Sequence, residues 1–583
     1  MRIFSVKSDR ETFKEVILEP GFNVVLAERT KESSSRDSRN GLGKSSLIHI
    51  IRFCLGSGIN KTLESEKLAD WTFTLDIELG GKNYSISRNT GNKNKIIIDG
   101  DCSDWPIRPE VDSFAGRSRQ IMSVTDWVKV LGKLSFDMNF SYPDFSYVPT
   151  FGSCRAYFIR NSEEGGMLDP FKQRGNQLEW DKQINNAFLL GLDWTYASKW
   201  QVLKDRKKII NQLKNEAQSG MLKDMEGSIG ELEAKKIRLE NEIVKQAEQL
   251  KNFNVHPQYQ EIERETNDIT VKIHDLSNDN ISDKSLLGYY ENSFEEEGDV
   301  DVNIVNKVYE EAGVVLPNGV KKRLEDVKEF HKKIIVNRKD FLVSEIARLK
   351  ENFSRRDNEK LNLCERRKEL FEILNSHKAL DEYTKMQQYA LKLTSEFNDI
   401  SKRIDNLKRF EQGKSALKID LELVQQEARV SLDERSEIKN KAINQFNVNS
   451  EILYESPGNL SIDVSSNGYE FGVTIEREGS HGIKNMKILC YDIMLSKLWA
   501  DKGMSFPLIH DSVLFADVDE RQVALALELA VKESESRGFQ YICTLNSDTI
   551  PYNDFSKGFD INKFVRKTFT DSSEDGGLFG IRF

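Results

Sequence analysis

Ser38-Arg39-Asn40-Gly41-Leu42-Gly43-Lys44-Ser45-Ser46 decides how the rest of the chain is read. It fits the phosphate-loop pattern G-x-x-x-x-G-K-[ST], with Ser38 where the first glycine belongs. Small residues are required there because backbone amides must close around phosphate oxygens, and serine is small. Lys44 is then placed to reach the β- and γ-phosphates and Ser45 to ligate Mg²⁺. The flanks agree. Asn23-Val24-Val25-Leu26 reads as a preceding strand, and Leu47-Ile48-His49-Ile50-Ile51 opens a helix whose N-terminal dipole faces the phosphates. The polar stretch Glu28 to Asp37 makes the strand-to-loop connection longer than usual. ATP and Mg²⁺ are the expected cofactors.

A phosphate loop needs an acidic residue at the end of a buried strand to hold Mg²⁺ through water. Phe506-Pro507-Leu508-Ile509-His510-Asp511-Ser512 supplies that pattern, with Asp511 as the carboxylate. It lies near the opposite end of the chain from Lys44, so the intervening residues must bring the chain back to the same sheet.

The middle of the sequence can do this. From 196 to 445 glycine and proline are scarce. Ile229, Leu232, Lys236, Leu239, Ile243, Gln246, Leu250 and Phe253 follow steps of three and four, the spacing of a heptad seam. Leu407, Phe410, Lys414, Leu417, Leu421, Val424 and Ala428 repeat it on the return. A break near 284–320, with Gly288, Gly298, Gly313, Pro317 and Gly319, separates the two seams. The expected fold is α/β: a phosphate-loop NTPase head split by an inserted antiparallel coiled-coil arm. The expected domains are residues 1–195, 196–445 and 446–583.

Within the outer parts, Ile3–Val6, Trp71–Ile77, Tyr84–Arg88, Ile96–Gly100, Leu460–Val464, Phe471–Ile475 and Gln540–Thr544 read as strands. Lys487–Ala500 and Asp519–Arg537 read as helices.

Composition narrows the setting. With 84 Lys+Arg against 94 Asp+Glu, the net charge is -10, which gives no support for wholesale nucleic-acid binding but leaves room for a local basic patch. The six cysteines lie far apart with no CxxC pair, which argues against disulfide frameworks and cysteine-ligated zinc and suits a reducing cytoplasm. No run approaches 18 uninterrupted apolar residues, so no membrane span is expected. The first residues alternate like a strand and lack the apolar core of a signal peptide.

Glu478-Gly479-Ser480-His481-Gly482-Ile483-Lys484 precedes the Asp511 strand and opens a helix. Here the chain resembles the cassette ATPases, whose Leu-Ser-Gly-Gly-Glu signature touches the γ-phosphate held by the opposite subunit. Ser480 and Gly482 match that pattern, while His481 and Ile483 do not. Ala516-Asp517-Val518-Asp519 resembles the D-loop, with Asp519 as its aspartate. The order of phosphate loop, arm, signature, Mg²⁺ strand and D-loop is that of the SMC/RecN/RecF-like branch. More narrowly, the chain resembles the bacterial family that carries the "domain of unknown function 2326". That resemblance rests on Asp37–Ser45, Tyr157-Phe158-Ile159-Arg160, Tyr309-Glu310-Glu311-Ala312-Gly313, Ile509-His510-Asp511-Ser512 and Asp519-Glu520-Arg521-Gln522, and it spans nearly the full length.

The resemblance implies a homodimer in which two heads sandwich ATP, each signature completing the partner's site. It also implies action on DNA or a DNA-linked complex, in anti-phage or mobile-element defence. Phe158-Ile159-Arg160-Asn161, just before Gly165-Gly166, fits the Q-loop position, with Arg160 or Asn161 reaching the nucleotide. One departure stands out. Cassette ATPases place a glutamate after the Mg²⁺ aspartate to orient the attacking water, and here that place holds Ser512, a hydroxyl far too weakly basic to substitute. Asn546 is the nearest polar residue where a switch histidine is usual. Three outcomes stay open: ATP as a slowly hydrolysed dimerising switch, water oriented by another carboxylate such as Asp517 or Glu520, or binding without turnover. The alternative function is a regulatory scaffold in which ATP binding controls a partner effector or adaptor protein.

Overall fold

The computed structural model describes every residue except 29–41, 115–116, 219–226, 254–256, 297–317, 375–378, 476–480, 572–574 and 582–583. The chain is mixed α/β and separates into two compact units. One is built chiefly from Met1–Asp205 and Ile419–Phe583, the other from Arg206–Val314 and Leu324–Lys418.

Among the described residues the first unit holds three sheets. Strands β1 (Arg2–Ser8), β2 (Val16–Ile17), β3 (Phe22–Glu28), β4 (Thr72–Leu79), β5 (Lys82–Asn89), β6 (Lys95–Asp99), β7 (Glu110–Phe114) and β8 (Arg117–Ser123) come from the N-terminal part. Strands β9 (Asn459–Ser465), β10 (Gly468–Thr474), β11 (Leu508–His510), β12 (Tyr541–Asn546) and β13 (Val565–Thr570) come from the C-terminal part. Seven strands in the order β2-β1-β4-β5-β6-β8-β7 form an antiparallel sheet. Its β4 alternates strictly, burying Phe73, Leu75, Ile77 and Leu79 and turning the residues between them outward. β9 and β10 pair as a hairpin.

The sheet that matters for function has the order β11-β12-β3-β13 and is parallel throughout. β3 lies inside it, buried on both faces from Phe22 to Ala27, as a covered parallel strand must be. Three of its four strands come from beyond residue 500 and one from before residue 30, so residues from the two ends of the chain hydrogen-bond directly. A parallel bridge between Ile159 and Ile509 adds a further N-terminal segment on the β11 side, with Ile509 N–H donating to Phe158 O at 2.7 Å.

Two helices cover this sheet for readable reasons. Lys44–Cys54 buries Leu47, Ile48, Ile50, Ile51 and Phe53. His481–Asp501 is apolar nearly all round from Met486 to Trp499 and is correspondingly buried, the expected fate of a helix without a polar face. Each such Leu or Ile side chain contributes about 1.5–3 kcal/mol on leaving water.

The second unit is helical: Ile229–Lys251, Pro257–Glu296, the Asn318–Leu374 helix from residue 324 on and the Ala379–Glu434 helix as far as residue 418 supply its elements. A capping box of Ser228 and Glu231 starts the first of them. Leu232 and Leu239 share a buried cluster with Leu393, Ile400 and Ile404. Cross-helix pairs run in opposite chain directions: Glu233 with Lys408 at 2.7 Å and Glu242 with Tyr389 at 2.7 Å, then Glu265 with Arg366 at 2.9 Å and Asp283 with Arg356 at 2.6 Å. On the return seam Lys414 is exposed and Leu417 buried; Val424 and Ala428, also buried, lie past residue 418 in the first unit and cluster with Trp200. The break expected from 284 starts later, because the Pro257–Glu296 helix continues through Gly288. Gly319 is helical as well, and Gly298, Gly313 and Pro317 lie outside the described residues.

Candidate functional site

The C-terminal ends of β3, β11 and β12 meet the N-terminus of the Lys44–Cys54 helix, the place where open parallel sheets present ligand sites. Ser38, Arg39, Asn40 and Gly41 lie outside the described residues, so the described cradle begins at Leu42 and Gly43. Gly43 caps the helix in the left-handed region at φ 96° and supplies no side-chain cap. A Cβ here would stand 2.5 Å from Leu578 Cβ, so glycine is required by conformation and by space. Leu578 is held there by its N–H donating to Leu42 O at 3.0 Å, so the C-terminal segment braces the end of the loop.

Lys44 is buried, and its ammonium donates to the side-chain oxygen of Asn546 at the end of β12. Ser45 Oγ donates to Asp511 Oδ2 at 2.7 Å. The other oxygen of Asp511 accepts from Ser512 Oγ and from Thr544 Oγ1, both at 3.1 Å. Thr544 Oγ1 in turn accepts from Ser512 N–H at 3.3 Å. Three hydroxyl donors fix the orientation of this buried carboxylate and aim one of its oxygens at Ser45. Ser45 and Asp511 are hard oxygen donors of the kind Mg²⁺ takes, with phosphate and water completing its shell. A helix N-terminus, a lysine and this oxygen pair fit a Mg²⁺–nucleotide.

The structure thus brings Lys44, Ser45, Asp511, Ser512 and Asn546 together. Ser46 is half-buried behind them. Ser512 spends its hydroxyl on Asp511 and opens a tight turn, Ser512–Phe515. Ser480 lies outside the described residues, and His481 begins the helix that follows. Gly482 packs under the next loop: a Cβ there would stand 2.5 Å from Asp517 O. Asn485 adds a bond from its side-chain amide to Ala516 O at 3.1 Å. The start of the signature-like helix and the D-loop-like turn are therefore one packed surface. Asp517, at φ 59°, and Glu520 are exposed on it, and Asp519 caps the Glu520–Arg537 helix by accepting from Arg521 N–H at 3.1 Å. None of these three lines the cleft beside Ser45 and Asp511.

Arg160 requires a correction. Its five N–H donors are spent within the protein: two on Asp492, at 2.5 and 2.6 Å, and the others on the carbonyls of Gly166, Lys172 and Pro170. It is fully buried and has no donor left for a phosphate. Arg160 instead pins the 161–172 loop to the His481–Asp501 helix, which carries Asp492. Asp492 also receives His510 Nε2 at 3.0 Å, while His510 Nδ1 meets Tyr541 OH at 2.8 Å. Burial pushes the His510 pKa down, against the pull of Asp492. The neutral ring then donates from Nε2 and accepts from the tyrosine. Asp492 escaped notice in the sequence, though an aspartate amid Ile488, Leu489, Ile493 and Leu495 is a readable signal of a buried pair. Thr544 gave no such signal.

Among known proteins, the family model described as "Uncharacterised protein conserved in bacteria (DUF2326)" matches residues 449–583. The model for C-terminal domain 10 of the ABC-three component (ABC-3C) systems matches residues 291–396. The chain is 20% identical to Uncharacterized protein YydD of Bacillus subtilis (strain 168), over 97% of this chain and 96% of that protein. Among solved structures, an Smc head domain with a coiled coil and joint derived from Pyrococcus yayanosii aligns at 13% identity over 99% of this chain and 96% of that one, with a TM-score of 0.33. An Smc head domain with an extended coiled coil derived from Pyrococcus furiosus, bound to the C-terminal domain of ScpA, aligns at 11% identity over 94% and 91%, with a TM-score of 0.32. The recombination mediator protein RecF aligns at 13% identity over 99% and 96%, with a TM-score of 0.25. Residues 449–583 thus match the DUF2326 family, whose motifs the sequence resembles, in a chain whose middle matches an ABC-three component C-terminal domain.

Proposed function

We propose that this chain is an SMC/RecN-like ABC ATPase whose heads dimerise around Mg²⁺–ATP, as one part of a multicomponent system. In this reading residues 1–195 and 446–583 form one split head, and residues 196–445 form an antiparallel coiled-coil arm. The observation that carries it is the 2.7 Å contact between Ser45 and Asp511, which joins a phosphate-loop helix to the end of a buried strand from the far part of the chain. Lys44 binds the β- and γ-phosphates, Ser45 and Asp511 hold Mg²⁺, and Gly482 with Asp517–Asp519 faces the partner head. ATP acts by its differential affinity for the dimer, which is what shifts the population of heads.

The dimer acts on DNA or on a partner protein. The match of residues 291–396 to a domain of three-component systems favours the partner, and so does the net charge of -10. Among the described residues no helix is long and apolar enough to cross a membrane. All six cysteines are free, which suits the cytoplasm. The test is ATP binding, turnover and sizing-column mass for wild type, Lys44→Ala and Asp511→Ala, with and without DNA. We expect ATP-dependent dimers in wild type alone. Turnover and dimerisation indifferent to Lys44→Ala would sink the assignment, and DNA stimulation would shift the choice of partner toward DNA.

A further inference from the structure

Position 512 holds a serine where a carboxylate would orient water, and the neighbouring cleft offers another. Two of the residues lining the cleft carry carboxylates: Asp511, already engaged by three hydroxyls, and Glu163. Ser45, His49 and Asn161 line the same cleft. Glu163 sits on a tight loop that is built rather than loose. Its N–H donates to Asn161 Oδ1 at 3.1 Å, Gly166 N–H closes back on Asn161 O at 2.8 Å, and Arg160 grips Gly166 O from below at 2.8 Å. A Cβ on Gly166 would stand 2.8 Å from Asn161 O, so the turn closes only with glycine there.

The Glu163 side chain is 63% exposed and so retains access to water, while buried His49 lies beside it, with Nε2 3.4 Å from Oε2. Apart from this approach to Glu163, His49 Nε2 has no hydrogen-bond partner among the described residues, so the buried ring nitrogen is directed to the Glu163 carboxylate at the cleft.

We propose that Glu163, positioned by His49 and the Arg160-anchored loop, orients the attacking water in place of the glutamate missing at position 512. This rests on the nucleotide site assigned above. Glu163 accepts a hydrogen bond from water. As the water oxygen bonds to the γ-phosphorus, a water proton passes to Glu163, and the bond from that phosphorus to the β–γ bridging oxygen breaks with its electron pair left on ADP. The imidazole of His49 holds the Glu163 carboxyl below its ordinary range, against burial, so it is ionised at neutral pH. Asp517 lies elsewhere, on the surface beside Gly482, and Glu520 is exposed at the start of its helix; neither lines the cleft.

The test uses the full chain with Glu163→Gln, Glu520→Gln and Lys44→Ala, and reads two quantities: single-turnover ATP cleavage and the affinity for a fluorescent ATP analogue. Glu163→Gln is expected to slow cleavage by at least about 100-fold, the scale of a lost general base. Its analogue affinity should stay within about threefold of wild type, and the nucleotide recovered from its sizing-column dimer should be ATP rather than ADP. Glu520→Gln should cleave like wild type. Cleavage by Glu163→Gln within about threefold of wild type would overturn the proposal and leave the nucleotide site standing. Wild type that binds but never cleaves ATP would overturn it too. Wild type with no affinity for the analogue would overturn the nucleotide site itself.

Discussion

Ser45 donates to Asp511 across 2.7 Å although 466 positions separate them in the chain. The contact ties the first turn of the phosphate-loop helix to the end of β11, and the two residues present adjacent oxygens. Mg²⁺–ATP should therefore raise the melting temperature of the wild-type head, by the equivalent of about 2.7 kcal/mol at a hundredfold excess over Kd. Asp511→Asn should lose the Mg²⁺-dependent part of that rise and keep what ATP gives in EDTA. Equal shifts with and without Mg²⁺ in wild type would argue that Asp511 is no metal ligand.

Arg160 and Asp492 form a fully buried pair that links the segment before the cleft loop to the His481–Asp501 helix. Losing one partner strands the other charge. Arg160→Met should cost about 3–5 kcal/mol in urea unfolding, and Arg160→Met with Asp492→Leu should cost less than the sum of the two singles. Strict additivity would mean that the pair is not coupled. His510 gives a gentler check, because His510→Gln keeps a donor for Asp492.

Acid should loosen the same loop. Burial raises the Glu164 pKa, but Arg52, at 3.0 Å, and an amide bond from Asn161, also at 3.0 Å, more than offset it, and the carboxyl is held below its ordinary 4.5. A depressed folded pKa gives stability that is present above the unfolded value and is lost as pH falls through the folded one. Wild type should therefore lose stability below about pH 4.5, where an ordinary glutamate begins to protonate. Glu164→Gln should be weaker at pH 7 and show a flatter acid limb. An unchanged limb would remove Glu164 from the cause.

The helical unit separates two kinds of contact. Leu239 is 6% exposed within its cluster, whereas the Glu233–Lys408 pair is about half exposed on both sides. Leu239→Ala should cost about 2 kcal/mol or more, and Glu233→Gln less than about 1 kcal/mol. Helix melting by circular dichroism distinguishes these. A larger cost for Glu233→Gln would mean that charge rather than packing holds these helices.

Much of this was legible in the sequence because local chemistry dictated it. The run Phe506–Asp511 and the alternation of Trp71–Ile77 announce their strands, and Leu232 and Leu239 sit where the heptad puts them. β13 was not legible. Its Val565-Arg566-Lys567-Thr568-Phe569-Thr570 alternates weakly, and it is a strand because β3 offers it a ladder on one edge. Arg160 stands in the loop the sequence points to, but its fork meets Asp492 and loop carbonyls. An arginine next to a site looks the same in sequence whether its fork meets phosphate or a buried aspartate on a distant helix. Glu163 was missed for the same reason: only the turn closed by Gly166 brings it to the cleft.

Gly482 allows a test of the surface where a partner head would dock. A Cβ there would meet Asp517 O at 2.5 Å and Val518 Cα at 3.1 Å, both backbone atoms that cannot swing aside. Gly482→Ala must push the turn that holds Asp517, already in the left-handed region at φ 59°, away from the helix. The overpacking should cost about 1–3 kcal/mol. ATP affinity should survive, because Lys44, Ser45 and Asp511 do not touch Gly482, while ATP-dependent dimers should be lost. Asn485→Ala serves as the control: it removes the side-chain bond to Ala516 O without forcing the turn outward, so it should lower stability and keep the dimer. If Gly482→Ala dimerises with ATP as wild type does, the signature-like helix start and the D-loop-like turn are not the dimer surface, and the ATP-sandwich model loses its second half.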